Sequence, residues 1–228
     1  MKILIGIQAR INSKRLPEKV MRKVDGNPLL FYVLERLKKS KLGDKIFVLS
    51  SNEQSDQIIA NYCKRNHINI YLGNLNDVLS RYYDFAIEKK IDAVIRISAD
   101  SPLIDFNIVN VMYDLFLKNN NYDVITNVFP RTFPKGQSVE IIKTSTLKFL
   151  SQSKLKVDEK EHVTSFIYKK PKFFKILNYK YTINKSSLRL SIDNENDFSN
   201  FKSFAKKNKN FLNFNLDKII EEWKEKKS

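Results

Sequence analysis

The segment Gln8–Val20 reads QARINSKRLPEKV and places Arg10, Lys14, Arg15 and Lys19 within ten residues, directly behind an apolar run. Pro17 stiffens this loop, and Ser13 offers a hydroxyl. A nucleoside triphosphate carries about four negative charges, so a rigid loop with several fixed cations suits it. The glycines of a P-loop or of a dinucleotide-binding turn are missing. Charge spacing alone fits a solvated basic loop equally well.

Two acidic positions have matching chemistry. Asp100 lies in ISADSPLID and Asp193 in RLSIDNENDF, each just beyond an apolar run of strand length. Magnesium takes one or two carboxylates, water and substrate phosphate oxygens. An ion held between the two would neutralise charge that builds on a phosphate during displacement. Each aspartate also stands near the start of a helical pattern, where it could serve as a cap. Capping is the simpler reading of either one alone, and the catalytic reading gains only when the pair and the basic loop are taken together.

The elements that must position these residues follow from hydrophobic periodicity. Apolar runs at Lys2–Ala9, Ile46–Leu49, Ile68–Leu72, Ala93–Ile97 and Asp123–Thr126 predict strands. Helical spacing appears between them at Pro28–Lys41, Glu53–Asn66, Asp77–Lys90 and Asp105–Leu117. Strands alternating with helices predict an α/β fold with a mostly parallel, Rossmann-like sheet. Ligands of such sheets sit outside the carboxyl ends of the strands, where the basic loop and Asp100 both fall. The second half is less regular. It predicts strands at Ser138–Ile142, Phe173–Tyr181 and Arg189–Ile192, and helices at Thr144–Leu150, Glu161–Tyr168, Glu195–Lys207 and Leu216–Lys226. No Gly- or Ser-rich linker divides the chain, so residues 1–228 are expected to form one domain, with 130–185 as an inserted acceptor-binding or dimer lobe.

Composition removes several classes. An apolar fraction of 42% excludes a disordered chain. No uninterrupted apolar stretch reaches the roughly 18 residues of a membrane span. Arg10 interrupts the N-terminal apolar run too early for a signal peptide. The single cysteine, Cys63, cannot form an internal disulfide, which suits the cytoplasm, and it reads as a core residue. The formal charge of +16 comes mostly from lysine spread along the chain, and no nucleic-acid-binding signature accompanies it, so no nucleic-acid partner is expected. His67, between a helix and a strand, reads as structural. The aromatic run at Phe173–Tyr181 fits a dimer arm at least as well as a base-stacking surface.

Arg10, Ser13, Arg15, Pro17 and Lys19 match an R-x-x-S-x-R-x-P-x-K loop that resembles that of the sugar cytidylyltransferases, a family including the CMP-Kdo and CMP-acylneuraminate synthetases. GNLNDVLSRYYDFA, SADSPLID, FPKGQSVEI, EHVTSFIY and LRLSIDNENDF are similar, in the same order, to segments of the spore-coat polysaccharide biosynthesis protein F branch. The likeness covers nearly the whole chain. It implies a nucleotide-diphospho-sugar transferase type of fold and transfer of CMP from CTP to a sugar with release of pyrophosphate, for polysaccharide or glycan synthesis. It further implies Mg²⁺ on Asp100 and Asp193, and a homodimer. Ala9, Arg10, Ser13, Arg15, Lys19, Asp77, Arg81, Ser98 and Asp100 would lie at the nucleotide, with Arg15, Lys19 and Asp100 at the chemistry. Lys135, Gly136, Glu140, Glu161 and His162 would shape the acceptor side. The chain departs from the branch at Gln137 and Ser138, where a leucine and an aspartate are expected, which bears on the identity of the sugar. His162 is conceivable as a general base, though a helix-packing or capping role is the simpler reading.

The nearest enzymatic rival is a glycosyltransferase that uses a nucleotide sugar, but no D-x-D accompanies Asp100. Another nucleotide or acceptor within the same chemistry, a catalytically inactive homologue, and a basic nucleic-acid-binding protein are the remaining alternatives.

Overall fold

The computed structural model describes residues 1–13 and 15–223. Lys14 and the end of the helix expected at Leu216–Lys226 lie outside the described residues. In chain order the elements are β1 (Ile3–Gln8), β2 (Lys23–Val24), β3 (Asn27–Pro28), α1 (Leu29–Leu37), β4 (Ile46–Ser51), α2 (Gln57–Arg65), β5 (Ile70–Gly73), α3 (Val78–Glu88), β6 (Ala93–Ser98), α4 (Phe106–Lys118) and β7 (Val124–Thr126). The second part follows with β8 (Glu140–Lys143), α5 (Thr144–Ser151), α6 (Val157–Glu161), α7 (Ser165–Lys169), β9 (Ile176–Asn178), α8 (Glu195–Lys207) and α9 (Leu216–Glu222).

The alternation of apolar runs and helical periods closes into one seven-stranded sheet of order β5-β4-β1-β6-β8-β7-β9. Pairing is parallel from β5 through β6 and between β7 and β9, and β8 alone runs antiparallel to its neighbours. This is the mostly parallel, helix-flanked sheet predicted from the sequence. Strand order reverses at β1, which lies between β4 and β6. The carboxyl ends of β1 and β6 therefore open a crevice at the switch point, and both candidate loops leave from it.

Alternate residues of each strand serve the two faces. Ile3, Ile5 and Ile7 of β1 join one buried cluster with Leu30 and Val33 of α1, Val109 and Met112 of α4, and Phe201 of α8. Leu4, with Val94 of β6 and Ile142 of β8, joins a second cluster against Leu79 and Tyr82 of α3, Leu147 of α5 and Ile167 of α7. Residues 130–185 thus supply β8 and β9 to the central sheet, and their helices to the second cluster. Between β2 and β3, Asp25 and Gly26 both take positive φ, as a two-residue mirror-image hairpin turn requires.

Three expected elements differ. The helix predicted at Glu161–Tyr168 is two short helices, α6 and α7, broken at His162–Thr164. Val163 and Thr164 are β-branched and both buried, and Ser165 N donates to His162 O at 2.6 Å across the break. The strand predicted at Phe173–Tyr181 shrinks to Ile176–Asn178. Its aromatics diverge: Phe174 packs edge-on to Phe149 and Phe166, while Tyr179 and Tyr181 pack on Phe133. Arg189–Ile192 is not a sheet strand. It is an extended segment bonded to loops, with Leu190 N donating to Lys135 O (2.7 Å) and Ile192 N to Asp100 O (2.9 Å).

Candidate active site

The basic loop is held by the apolar residues inside it. Ile11 and Leu16 are buried, and Ile11 N donates to the carboxylate of Asp56 at 2.7 Å. Asp56, wholly buried ahead of α2, also accepts from Ser51 N and Oγ at the end of β4. One carboxylate thus ties the ends of two neighbouring strands and fixes the loop between them. With Ile11 and Leu16 turned inward, Arg15 is left exposed. A single-turn 3₁₀ helix at Lys19–Met21 aims Lys19 back toward the end of β6.

The bond from Ile192 N to Asp100 O brings the two aspartates side by side. Lys19 Nζ lies 2.9 Å from Asp100 Oδ2 and 3.4 Å from Asp193 Oδ1. Arg15 reaches Asp193 Oδ1 at 3.1 Å, and Arg189 reaches Oδ2 at 2.5 Å. Burial pushes the Asp193 carboxyl up, but Lys19, Arg15 and Arg189 outweigh it and hold the group below the usual aspartate range. The capping alternative fails for both aspartates. Asp105 caps α4 through Asn107 N, and Asn194 caps α8 through Asp197 N. Asp100 and Asp193 are free of that duty and face the crevice with three cations between and around them.

The other expected site residues fall partly at the crevice and partly behind it. Ala9 and Ser98 stand at the carboxyl ends of β1 and β6, and Ala9 N is bonded to Leu49 O at 3.0 Å. Ser13 is half-buried in the loop. Arg10 pairs with Glu161 at 2.7 Å, which joins the loop to the end of α6. Asp77 caps α3 by accepting from Ser80 N at 2.8 Å and pairs with Lys160 at 3.1 Å. Arg81, expected near the nucleotide, is 1% exposed and spends its guanidinium on the carbonyls of Leu49, Asn74 and Leu75. Its role is to pin the loop ahead of α3.

On the expected acceptor side, Lys135 is exposed beside Gly136. Gly136 has φ +94°, and a Cβ there would lie 2.5 Å from Ser191 N, so only glycine lets this turn approach the segment that carries Asp193. Glu140 is 3% exposed and does not face an open pocket. It pairs with Arg96 of β6 and accepts from the Tyr168 hydroxyl, both at 2.5 Å, while Arg96 also donates to Gln8 of β1 at 3.0 Å. Burial, then the Glu140 charge, raises the Tyr168 pKa, so that hydroxyl stays a donor. His162 is exposed at the C-terminal end of α6. Gln137 is buried with its amide satisfied, accepting from Asp105 N (2.8 Å) and donating to Leu103 O (2.7 Å). Ser138 accepts from Arg131 at 3.0 Å.

Sequence reasoning missed Asp56, Arg189, Arg96 and Tyr168. Arg96 carried a signal, a charged residue inside the apolar strand AVIRIS, and Arg189 carried a weaker one, four residues before Asp193. For the metal, the donor set is of the kind magnesium takes: two carboxylates converge on one nitrogen, Lys19 Nζ, at 2.9 and 3.4 Å. Among the described residues no group of three or more His, Cys, Asp or Glu side chains forms a metal cage. A hard cation here would depend on substrate oxygens to complete its shell.

The chain matches a family of cytidylyltransferases over residues 4–222. A cytidylyltransferase structure from Leptospira borgpetersenii superposes with a TM-score of 0.92 at 35% identity, covering 97% of this chain and 93% of that one. An uncharacterized protein of Methanocaldococcus jannaschii is 33% identical over 95% of this chain and 87% of its own length. The spore coat polysaccharide biosynthesis protein SpsF of Bacillus subtilis is 28% identical over 90% of this chain and 87% of its own. With a family match running almost end to end and an aspartate pair beside a basic loop at the sheet's switch point, the chain belongs to the cytidylyltransferases.

Proposed function

We propose that this enzyme joins CMP, taken from CTP, to an acidic sugar of the ulosonic or nonulosonic type. The observation that carries the reading is Lys19 Nζ set between Asp100 and Asp193, with Arg15 and Arg189 on the outer side. A sugar hydroxyl attacks the α-phosphorus in line. The new bond joins the sugar oxygen to phosphorus, the bond to the oxygen bridging toward the β-phosphorus breaks, and pyrophosphate leaves with that oxygen. Arg10, Ser13 and Arg15 hold the nucleotide, and Arg15 and Lys19 offset charge on the transferring phosphate. Asp100 and Asp193 would hold Mg²⁺, which would supply further charge neutralisation at the phosphate oxygens.

The acceptor lies beside Lys135 and Gly136, near the end of α6 that carries Glu161 and His162. Net positive charge at the crevice favours an acidic acceptor over a neutral one. Glu140 acts from behind, by fixing Arg96 and Tyr168 under that side. The enzyme works in the cytoplasm as a homodimer. A single buried cysteine suits the first point, and the exposed apolar side chains Phe149, Val157 and Phe173 between α5 and β9 suit the second.

The test is pyrophosphate release with Mg²⁺, each of the four nucleoside triphosphates and a panel of acidic sugars. Release confined to CTP plus one sugar, and lost in Asp100→Asn, is the expected result. Equal release with ATP or GTP, or unchanged release in Asp100→Asn, would overturn the reading.

A further inference from the structure

Every oxygen of the aspartate pair already accepts from a side chain of the protein. Asp100 Oδ1 accepts from Ser101 Oγ at 3.2 Å and Oδ2 from Lys19 at 2.9 Å. Asp193 Oδ1 accepts from Arg15 at 3.1 Å and Lys19 at 3.4 Å, while Oδ2 accepts from Arg189 at 2.5 Å and Ser191 at 3.3 Å. Among the described residues three cations pair with these two carboxylates, so the ion-paired cluster carries −2 + 3 = +1, with the Asp197 carboxylate held behind it on the backbone N–H groups of Asp193 and Asn194. The Lys19 side chain is only 12% exposed, so its ammonium has little water to retreat into. Lys19 sits where the two carboxylates converge, so a divalent ion bound at Asp100 Oδ2 and Asp193 Oδ1 competes with it for both.

We infer that Lys19 and the metal compete for the two aspartates, so that a free divalent cation binds poorly and the metal enters as its nucleotide complex. This rests on the reading of Asp100 and Asp193 as the metal pair. A lone divalent ion would take the cluster from +1 to +3 in a half-buried crevice. A metal–CTP complex, with about two net negative charges, would take it to about −1. The nucleotide also gives the displaced ammonium somewhere to go, because its phosphates arrive with the ion and accept from Lys19 in place of the carboxylates. The loop lysine is then a gate against unproductive metal as well as a phosphate ligand.

The experiment titrates Mn²⁺, read by electron paramagnetic resonance of the free ion, into wild type, Lys19→Met and Asp193→Asn, with and without CTP and with no acceptor. Without nucleotide, Lys19→Met is expected to bind Mn²⁺ at least about tenfold more tightly than wild type. CTP should tighten Mn²⁺ binding by wild type at least about tenfold beyond what CTP alone binds in buffer, and should help Lys19→Met less. Asp193→Asn should show neither gain. Arg15→Gln changes an exposed side chain, should move in the same direction by a smaller factor, and serves if Lys19→Met does not fold. Wild type binding Mn²⁺ without nucleotide as tightly as both lysine and arginine variants overturns the inference alone. Absence of Mn²⁺ binding by any of these proteins, with CTP or without, overturns the metal reading and the inference with it.

Discussion

Two sets of cations in this molecule do opposite work. Arg36 and Arg81 are buried and donate almost wholly to backbone carbonyls, Arg36 to Ile104, Phe211 and Phe214, and Arg81 to Leu49, Asn74 and Leu75. Burial draws the Arg36 pKa down to about 10, against a smaller opposing effect of Asp105. Arg15, Lys19 and Arg189 instead stand at the sheet's carboxyl edge, where they outnumber their carboxylates and share them. The first set acts as struts. A guanidinium's fork of donors ties together several backbone carbonyls, most of them in loops. The second set is oversupplied with charge for a structural task, and the surplus is available to a polyanion. A cation's role therefore follows from whether its partners are carbonyls or carboxylates, and sequence does not display that.

Substitutions should separate the two sets, the largest effects falling at the edge. Asp193→Asn is expected to lower kcat by roughly 10³-fold, about 4 kcal/mol at the transition state, with a melting temperature within about 2 °C of wild type. Steady-state kinetics beside thermal melts check this, and a large loss of stability would move Asp193 into the structural set. Next in size, Arg36→Met should cost about 3 kcal/mol of folding stability in a urea titration, because it leaves buried carbonyls without donors. At 10 °C the folded variant should keep kcat within about twofold of wild type, since the site lies elsewhere. A comparable loss of kcat in folded protein would break the distinction.

Smaller effects sharpen the same contrast. Arg15→Gln should raise KM for CTP by about tenfold with a modest change in kcat, and the penalty should shrink as salt is added. Arg81→Met tests whether this arginine is a strut or a nucleotide contact. It should loosen the loop ahead of α3, cost about 2 kcal/mol of stability and leave the salt dependence of KM unchanged, where a nucleotide-contacting arginine would alter it. Least of all, the Cys63 thiol, which burial pushes up to about 12, should resist a disulfide exchange reagent at pH 8 until the protein unfolds. Fast labelling of native protein would contradict its placement in the core.

The alternation through Thr126 was legible because each strand and helix there carries its own period, and the parallel sheet then dictates where loops emerge. Asp100 and the basic loop were legible for the same reason, as residues just past sheet strands, whereas Asp193 follows an apolar run that is not a sheet strand. The rest depends on partners distant in sequence. Asp56 stands in SNEQSD, which reads as surface, and only the approach of Ile11 and Ser51 makes it a buried tie. The resemblance puts Arg81 near the nucleotide, and only the fold shows the carbonyls of residues 74 and 75 closing over it. The segment 162–164 has helical periodicity, but two buried β-branched residues pull it into a turn. Glu140 could be placed beside an acceptor from sequence, but its burial under Tyr168 and Arg96 is a product of sheet register.

The most direct test follows the α-phosphorus itself. The enzyme is incubated with Mg²⁺, an acidic sugar that supports pyrophosphate release, and CTP labelled at that phosphorus. The label is predicted to pass into a sugar-linked CMP, with one pyrophosphate formed per label transferred and neither formed by Asp100→Asn. Label recovered as free CMP with no sugar attached, or orthophosphate released from the γ-position while the label stays in nucleotide, would contradict transfer at this site.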